Sequence, residues 1–139
     1  MMKKIFFYSQ SLFKDIALLV LRAGAGLMMA THGWSKLSDF SAKLQSFPDP
    51  IGLGPAISLQ LVIFAEFFCA LFLAIGFLTR ITLIPLIITM CVAAFIAHGD
   101  DPFAVQEMSL LYLTVFVSLF LLGPGKLSVD GQIKTKKGY

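Results

Sequence analysis

Four long apolar runs, almost free of charge, decide most of what this chain can become. They cover residues 16–31, 57–78, 81–97 and 108–122; the first contains one charge, Arg22, the second one, Glu66, and the others none. A bilayer core about 30 Å thick needs about 20 helical residues. With flanking residues counted, the runs give candidate spans at about 15–33, 57–78, 81–98 and 107–124. Hydrocarbon offers the backbone no water to bond, so these spans must be helices. Composition agrees: 58% of residues are hydrophobic and only 14% charged, where a soluble domain carries about 25% charged. So little polar side chain cannot coat a water-soluble enzyme. The sequence predicts an all-α fold, a four-helix transmembrane bundle forming a single integral membrane domain.

Basic residues set the expected orientation. Lys3, Lys4 and Lys14 precede the first span, Arg80 separates the second and third, and Lys126, Lys134, Lys136 and Lys137 follow the fourth. The other side has Lys36 and Lys43 against Asp39, Asp49, Asp100 and Asp101. Both termini are therefore expected in the cytoplasm, with a cytoplasmic tail over 125–139. The N-terminus is like a signal peptide, but Arg22 interrupts its apolar stretch, and we expect no cleavage. No basic stripe suggests nucleic acid.

The outer connection after the first span carries Leu37, Phe40, Leu44 and Phe47 on one helical side. This predicts a short amphipathic interfacial helix over about 36–47, stopped by Pro48-Asp49-Pro50. It is either a linker on the rim of the bundle or a lid over an outward-facing pocket.

A charge within a span is costly, so Arg22 and Glu66 are the first candidate site. Counted from the outer rim at 1.5 Å per residue, both lie about 14–15 Å deep, which predicts a buried ion pair. Gly26, nearly under Arg22 on the wheel, would let a helix or flat ligand approach. The pair is either structural or the polar part of a ligand pocket. A second candidate group gathers at the outer mouth: His32, Lys36, His98, Asp101 and Glu107. It has the groups for proton exchange, but no tight His/carboxylate spacing, and no metal is assigned. A third is a stripe on the fourth span, where Thr114 and Ser118 lie within about 20° of Glu107; it reads as helix glue or as a polar path. Cys69 and Cys91 sit inside apolar runs, without a disulfide framework or zinc spacing, and read as packing or as a redox pair.

The weak echo between Ala30-Thr31-His32-Gly33 and Ala97-His98-Gly99, each ending a span and each followed by a span with one carboxylate, hints at a duplicated two-helix unit.

Taken together these pieces resemble the DoxX family of small bacterial membrane proteins. The matching pieces are Leu21-Arg22, His32-Gly33, Lys36-Leu37, Glu66, Gly76-Phe77-Leu78-Thr79-Arg80, His98-Gly99, Asp101-Pro102-Phe103, Glu107 with Tyr112, and Gly123-Pro124-Gly125-Lys126-Leu127-Ser128-Val129-Asp130. The resemblance runs from about residue 15 to 130. It implies a four-helix protein of the bacterial inner membrane and a role as a redox subunit, in some relatives linked to thiosulfate:quinone oxidoreduction or to stress. It also marks Arg80, Gly123, Pro124, Gly125 and Asp130 as a cytoplasmic motif. The chain has no GxGxxG and no cysteine ligand set, so no intrinsic cofactor is expected and electrons would pass through a bound quinone or a protein partner. Two other readings stay open. One is a non-catalytic scaffold or assembly factor for a soluble enzyme; the other is a small transporter for protons, metal ions or a polar solute, which would need a homo-oligomer.

Overall fold

The computed structural model describes residues 13–137, with the side chain of the last excluded. Lys3, Lys4 and the question of signal cleavage lie outside the described residues, as does the side chain of Lys137. The chain is an all-helical bundle. Helix α1 is Lys14–Ser38, and after a bend at Asp39 the short α2 is Phe40–Ser46. Helix α3 is Pro55–Ile75, α4 is Thr79–Ala97, α5 is Phe103–Leu122 and α6 is Val129–Lys137. Helices α1, α3, α4 and α5 have 25, 21, 19 and 20 residues and are long and apolar enough to cross a membrane.

Helix α1 does not stop at the His32-Gly33 pair. It runs on to Ser38 because Gly33 is an interior helical residue, buried where α1 and α3 cross. A Cβ there would stand 2.5 Å from the Phe67 backbone nitrogen, and one on Gly26 would stand 2.8 Å from the Ala70 carbonyl oxygen. Both glycines thus permit backbone-to-backbone approach, the usual device for packing helices without a hydrophobic driving force between them. The two His-Gly pairs therefore differ. Only His98-Gly99 closes a helix, and the echo does not extend to local structure.

Two helices contain a wide turn. Residues Phe64–Cys69 of α3 and Ala93–Ala97 of α4 are π-helical. Such turns bulge one side of a helix and often mark functional regions. The core lies between the spans, with Met29, Ala30, Ala65, Ala70, Leu73, Leu86, Met90, Phe116 and Leu119 among its buried residues.

One end of the bundle is tied together through backbone atoms, and we call it the basic end. Helix α3 terminates at Gly76 in the left-handed conformation, with Phe77 N–H bonded to Phe72 O and Gly76 N–H to Leu73 O. This is a Schellman close, and the Phe72 and Phe77 rings meet edge-on across it. Leu78 follows at φ 49°, and α4 begins at once. The Asp130 carboxylate accepts hydrogen bonds from Leu78 N–H (2.9 Å) and Thr79 N–H (2.8 Å). Its negative charge sits where the α4 dipole is positive. Asp15 accepts Lys126 N–H at 2.9 Å. The described chain therefore enters and leaves the bundle at the same end. The tail does not trail off: α6 folds back against the α3–α4 turn, with Asp130 N–H bonded to Gly76 O.

Candidate functional site

Arg22 and Glu66 do not pair. Arg22 is 1% exposed, and its guanidinium lies at the basic end, under the α3–α4 turn. One terminal nitrogen donates to Leu73 O (3.1 Å) and Ala74 O (2.6 Å), and the other to Leu127 O (2.7 Å). It thus caps the carbonyl end of α3, where a cation is favoured, and ties the tail to the bundle. Gly76 makes room for it, since a Cβ there would come within 2.7 Å of the guanidinium. The expected pairing fails because the first span is longer than its apolar run. Measured from Ser38, Arg22 is about 24 Å down the helix, well past the level of Glu66.

Glu66 pairs with Lys36 instead, at 2.5 Å. Glu66 belongs to the π-helical turn of α3, and Lys36 to the last turn of α1. Both line a pocket of about 310 Å³ between α1, α3, α4 and α5, a size typical of small-molecule sites. His32, Tyr112 and His98 line it too, with Met29, Ile88 and Met90 among its apolar walls. His32 and Tyr112 stand edge to face, 6.1 Å between ring centroids. The two π-helical turns face each other across this space, since Glu66 on one and Ala93 and Ala97 on the other all line it.

The mouth is built from two connections. His98 Nδ1 lies 2.7 Å from Asp101 Oδ2, which fixes the ring. Gln106 clamps the same turn by donating to the carbonyls of His98, Gly99 and Asp101. Across from it, Phe47, Pro48, Pro50 and Ile51 of the α2–α3 connection also line the pocket. Asp49 organises that connection: it accepts Leu53 N–H (3.0 Å), Gly54 N–H (2.9 Å) and Ser58 Oγ–H (2.9 Å). Loss of solvent pushes the Asp49 carboxyl up, but its bonds from Gly54, Ser58, Leu53 and Gly52 together hold it below the usual carboxylate range.

Of the expected mouth cluster, His32, Lys36 and His98 converge on the pocket, and Asp101 serves His98. Glu107 does not join them: it is exposed, in the second turn of α5, and lines no part of the pocket. The Thr114 and Ser118 hydroxyls donate to Leu110 O and Thr114 O on their own helix. They form neither a bond between helices nor a path inward. Arg80 donates to Phe120 O, and Gly123 and Gly125 both have positive φ. With Pro124 and Asp130 they belong to the tied basic end, far from the pocket. Cys69 and Cys91 are free thiols. Ser58, Thr89 and Ser109 line the pocket unannounced by the sequence reading. A hydroxyl amid apolar residues gives no signal of which face it occupies. Asp49 was more legible, because Asp between prolines is a turn former whose side chain bonds nearby backbone N–H groups.

Fold and site define a small helical membrane protein of four spans, closed at one end by backbone ties and hollowed at the other. The chain belongs to the DoxX family, which it matches over residues 17–99. It is 29% identical over 133 residues to a protein of Haemophilus influenzae described as uncharacterized, a likeness covering 90% of this chain and 88% of that one. No solved structure matches it.

Proposed function

We propose that this protein is a membrane subunit of a redox system that holds a quinone head group in the pocket beside Lys36 and Glu66. The observation that carries this reading is an ion pair lining an otherwise mainly apolar pocket within a four-span bundle. A quinone head is a flat apolar ring with a carbonyl acceptor on each side. Lys36 is the donor for one carbonyl, and the Tyr112 hydroxyl or a His32 N–H is the donor for the other. The apolar walls hold the ring and exclude water, which strengthens both bonds. Reduction to quinol takes two electrons, delivered by a separate redox protein, and two protons. Lys36, His32 and His98 are the protonatable donors, and His98, held by Asp101 at the mouth, exchanges protons with water. In this reading the chain sits in the bacterial inner membrane, with the basic end in the cytoplasm.

The test uses protein purified from its native membrane in mild detergent. Organic extraction should yield near-stoichiometric quinone. A short-chain quinone titrated into delipidated protein should quench the single tryptophan, Trp34, saturably, because that ring packs on Phe67 next to Glu66. Lys36→Met and Glu66→Gln should each weaken the quenching at least tenfold. An empty extract together with non-saturable quenching would overturn the proposal, and a stoichiometric soluble partner in the same preparation would then favour the scaffold reading.

A further inference from the structure

At the basic end, acidic and basic side chains are not matched. Asp15 and Asp130 are both turned inward onto backbone N–H groups. Among the described residues, no carboxylate lies within salt-bridge distance of Lys14, Arg80, Lys126, Lys134 or Lys136. The same end has a shallow groove where α6 folds back on the end of α3. It is lined by Ile75, Leu127, Val129, Ile133 and Lys136, with Ser128 and Gln132 between them. Its four apolar members are all exposed, from 37% at Val129 to 55% at Ile75. Ile75 is the last residue of a span, so the groove lies at the level where hydrocarbon gives way to head groups.

From this juxtaposition we infer that the groove between α6 and the end of α3 is a binding site for an anionic phospholipid. Ile75, Leu127, Val129 and Ile133 meet the upper acyl chain. Lys136, in the groove, meets the phosphate, and Lys134 and Lys126 add to the positive charge of the same end without lining the groove. Charge complementarity selects this occupant: a zwitterionic lipid would satisfy the apolar floor but leave the cations uncompensated. The site is distinct from the pocket at the other end, so it stands or falls independently of the quinone reading. Its position is fixed by Asp130 and Arg22, which lock α6 and Leu127 to the α3–α4 turn. A lipid bound there would brace the tie between tail and bundle.

The test is native mass spectrometry of the full chain released from nanodiscs of phosphatidylcholine mixed with phosphatidylglycerol. One phosphatidylglycerol should be retained in preference to phosphatidylcholine, with the preference falling as salt rises. Each lysine near an anionic surface contributes about 1 kcal/mol, so Lys134→Gln with Lys136→Gln should lower the preference about 25-fold. Lys134→Arg with Lys136→Arg should keep it. Ile133→Ser should weaken retention of both lipids alike. These residues are on the surface, and unchanged helical circular dichroism would confirm that each variant is folded. Equal retention of the two lipids, or a preference that the glutamine pair leaves unmoved, would overturn the inference.

Discussion

Arg22 lies sealed beneath the α3–α4 turn, with three carbonyl oxygens around its terminal nitrogens. Each buried carbonyl left without a donor costs about 1–3 kcal/mol. Leu73 O would keep its bond from Gly76 N–H, but Ala74 O and Leu127 O would lose theirs, so Arg22→Met should destabilise the protein by at least about 2 kcal/mol, read as a drop in the detergent melting temperature, while Arg22→Lys should recover part of it. Loss of function in Arg22→Met would accordingly report folding and not chemistry. Lys36 and Glu66 call for the opposite analysis. The Glu66 side chain is 9% exposed and that of Lys36 is 23%. Removing Lys36 strands the more buried charge, so Lys36→Met should cost more than Glu66→Gln, at most about 3–5 kcal/mol. The double variant should regain stability relative to Lys36→Met yet not regain ligand binding. That split, read from melting curves and quench titrations in parallel, separates the structural share of the pair from its binding role.

At the scale of elements, α1 and α3 cross at two glycines whose hydrogens face the partner backbone. Backbone atoms cannot swing aside as a side chain does, so Gly26→Ala and Gly33→Ala should each cost about 1–3 kcal/mol by overpacking. Gly24 is the internal control: a Cβ there meets nothing within 4 Å, and Gly24→Ala should be neutral or stabilise by up to about 1 kcal/mol. Thermal melts in one detergent compare the three. Gly33→Ala should also weaken quinone binding, because the atoms it displaces belong to Glu66 and Phe67. The glycine pair shows where periodicity misleads. Gly following His at the end of an apolar run reads as a helix stop, since glycine commonly closes helices. Here the helix continues through it, because close packing against α3 uses the missing side chain.

Over the whole molecule, the two ends are organised by different means. The basic end is closed by Arg22, Asp130 and Asp15 acting on backbone groups from distant segments. The pocket end is covered by the α2–α3 connection, with Asp49 as its anchor. The Asp49 carboxyl is held below its ordinary range, so the contribution of its bonds is fully present at neutral pH. That contribution is lost as pH falls through the lowered value, below the usual carboxylate range. Protection of the Leu53 and Gly54 amides, taken as their hydrogen-exchange rates relative to the intrinsic rate at each pH, should therefore be present at neutral pH and lost only in acid. Asp49→Asn should lower that protection already at neutral pH, since an amide has one acceptor oxygen where the carboxylate uses two.

Hydropathy alone determined that this chain makes four membrane-crossing helices, because a backbone in hydrocarbon has no other way to satisfy its polar groups. It also brought out Arg22, Glu66, His32 and His98, as a charge or imidazole among apolar neighbours stands out without any structure, but not Asp15 or Gln106, whose bonds go to backbone groups of the connections. Which of them meet was decided only by tertiary packing. Partnership between spans depends on where each helix begins and ends, on its rotation, and on wide turns such as the one that contains Glu66. None of these leaves a mark in residue spacing. A cation in one helix and a carboxylate in the next suggested a single buried pair. The fold instead gave Arg22 to the carbonyl end of α3 and Glu66 to Lys36, and so placed a structural clamp at one end of the bundle and a pocket at the other.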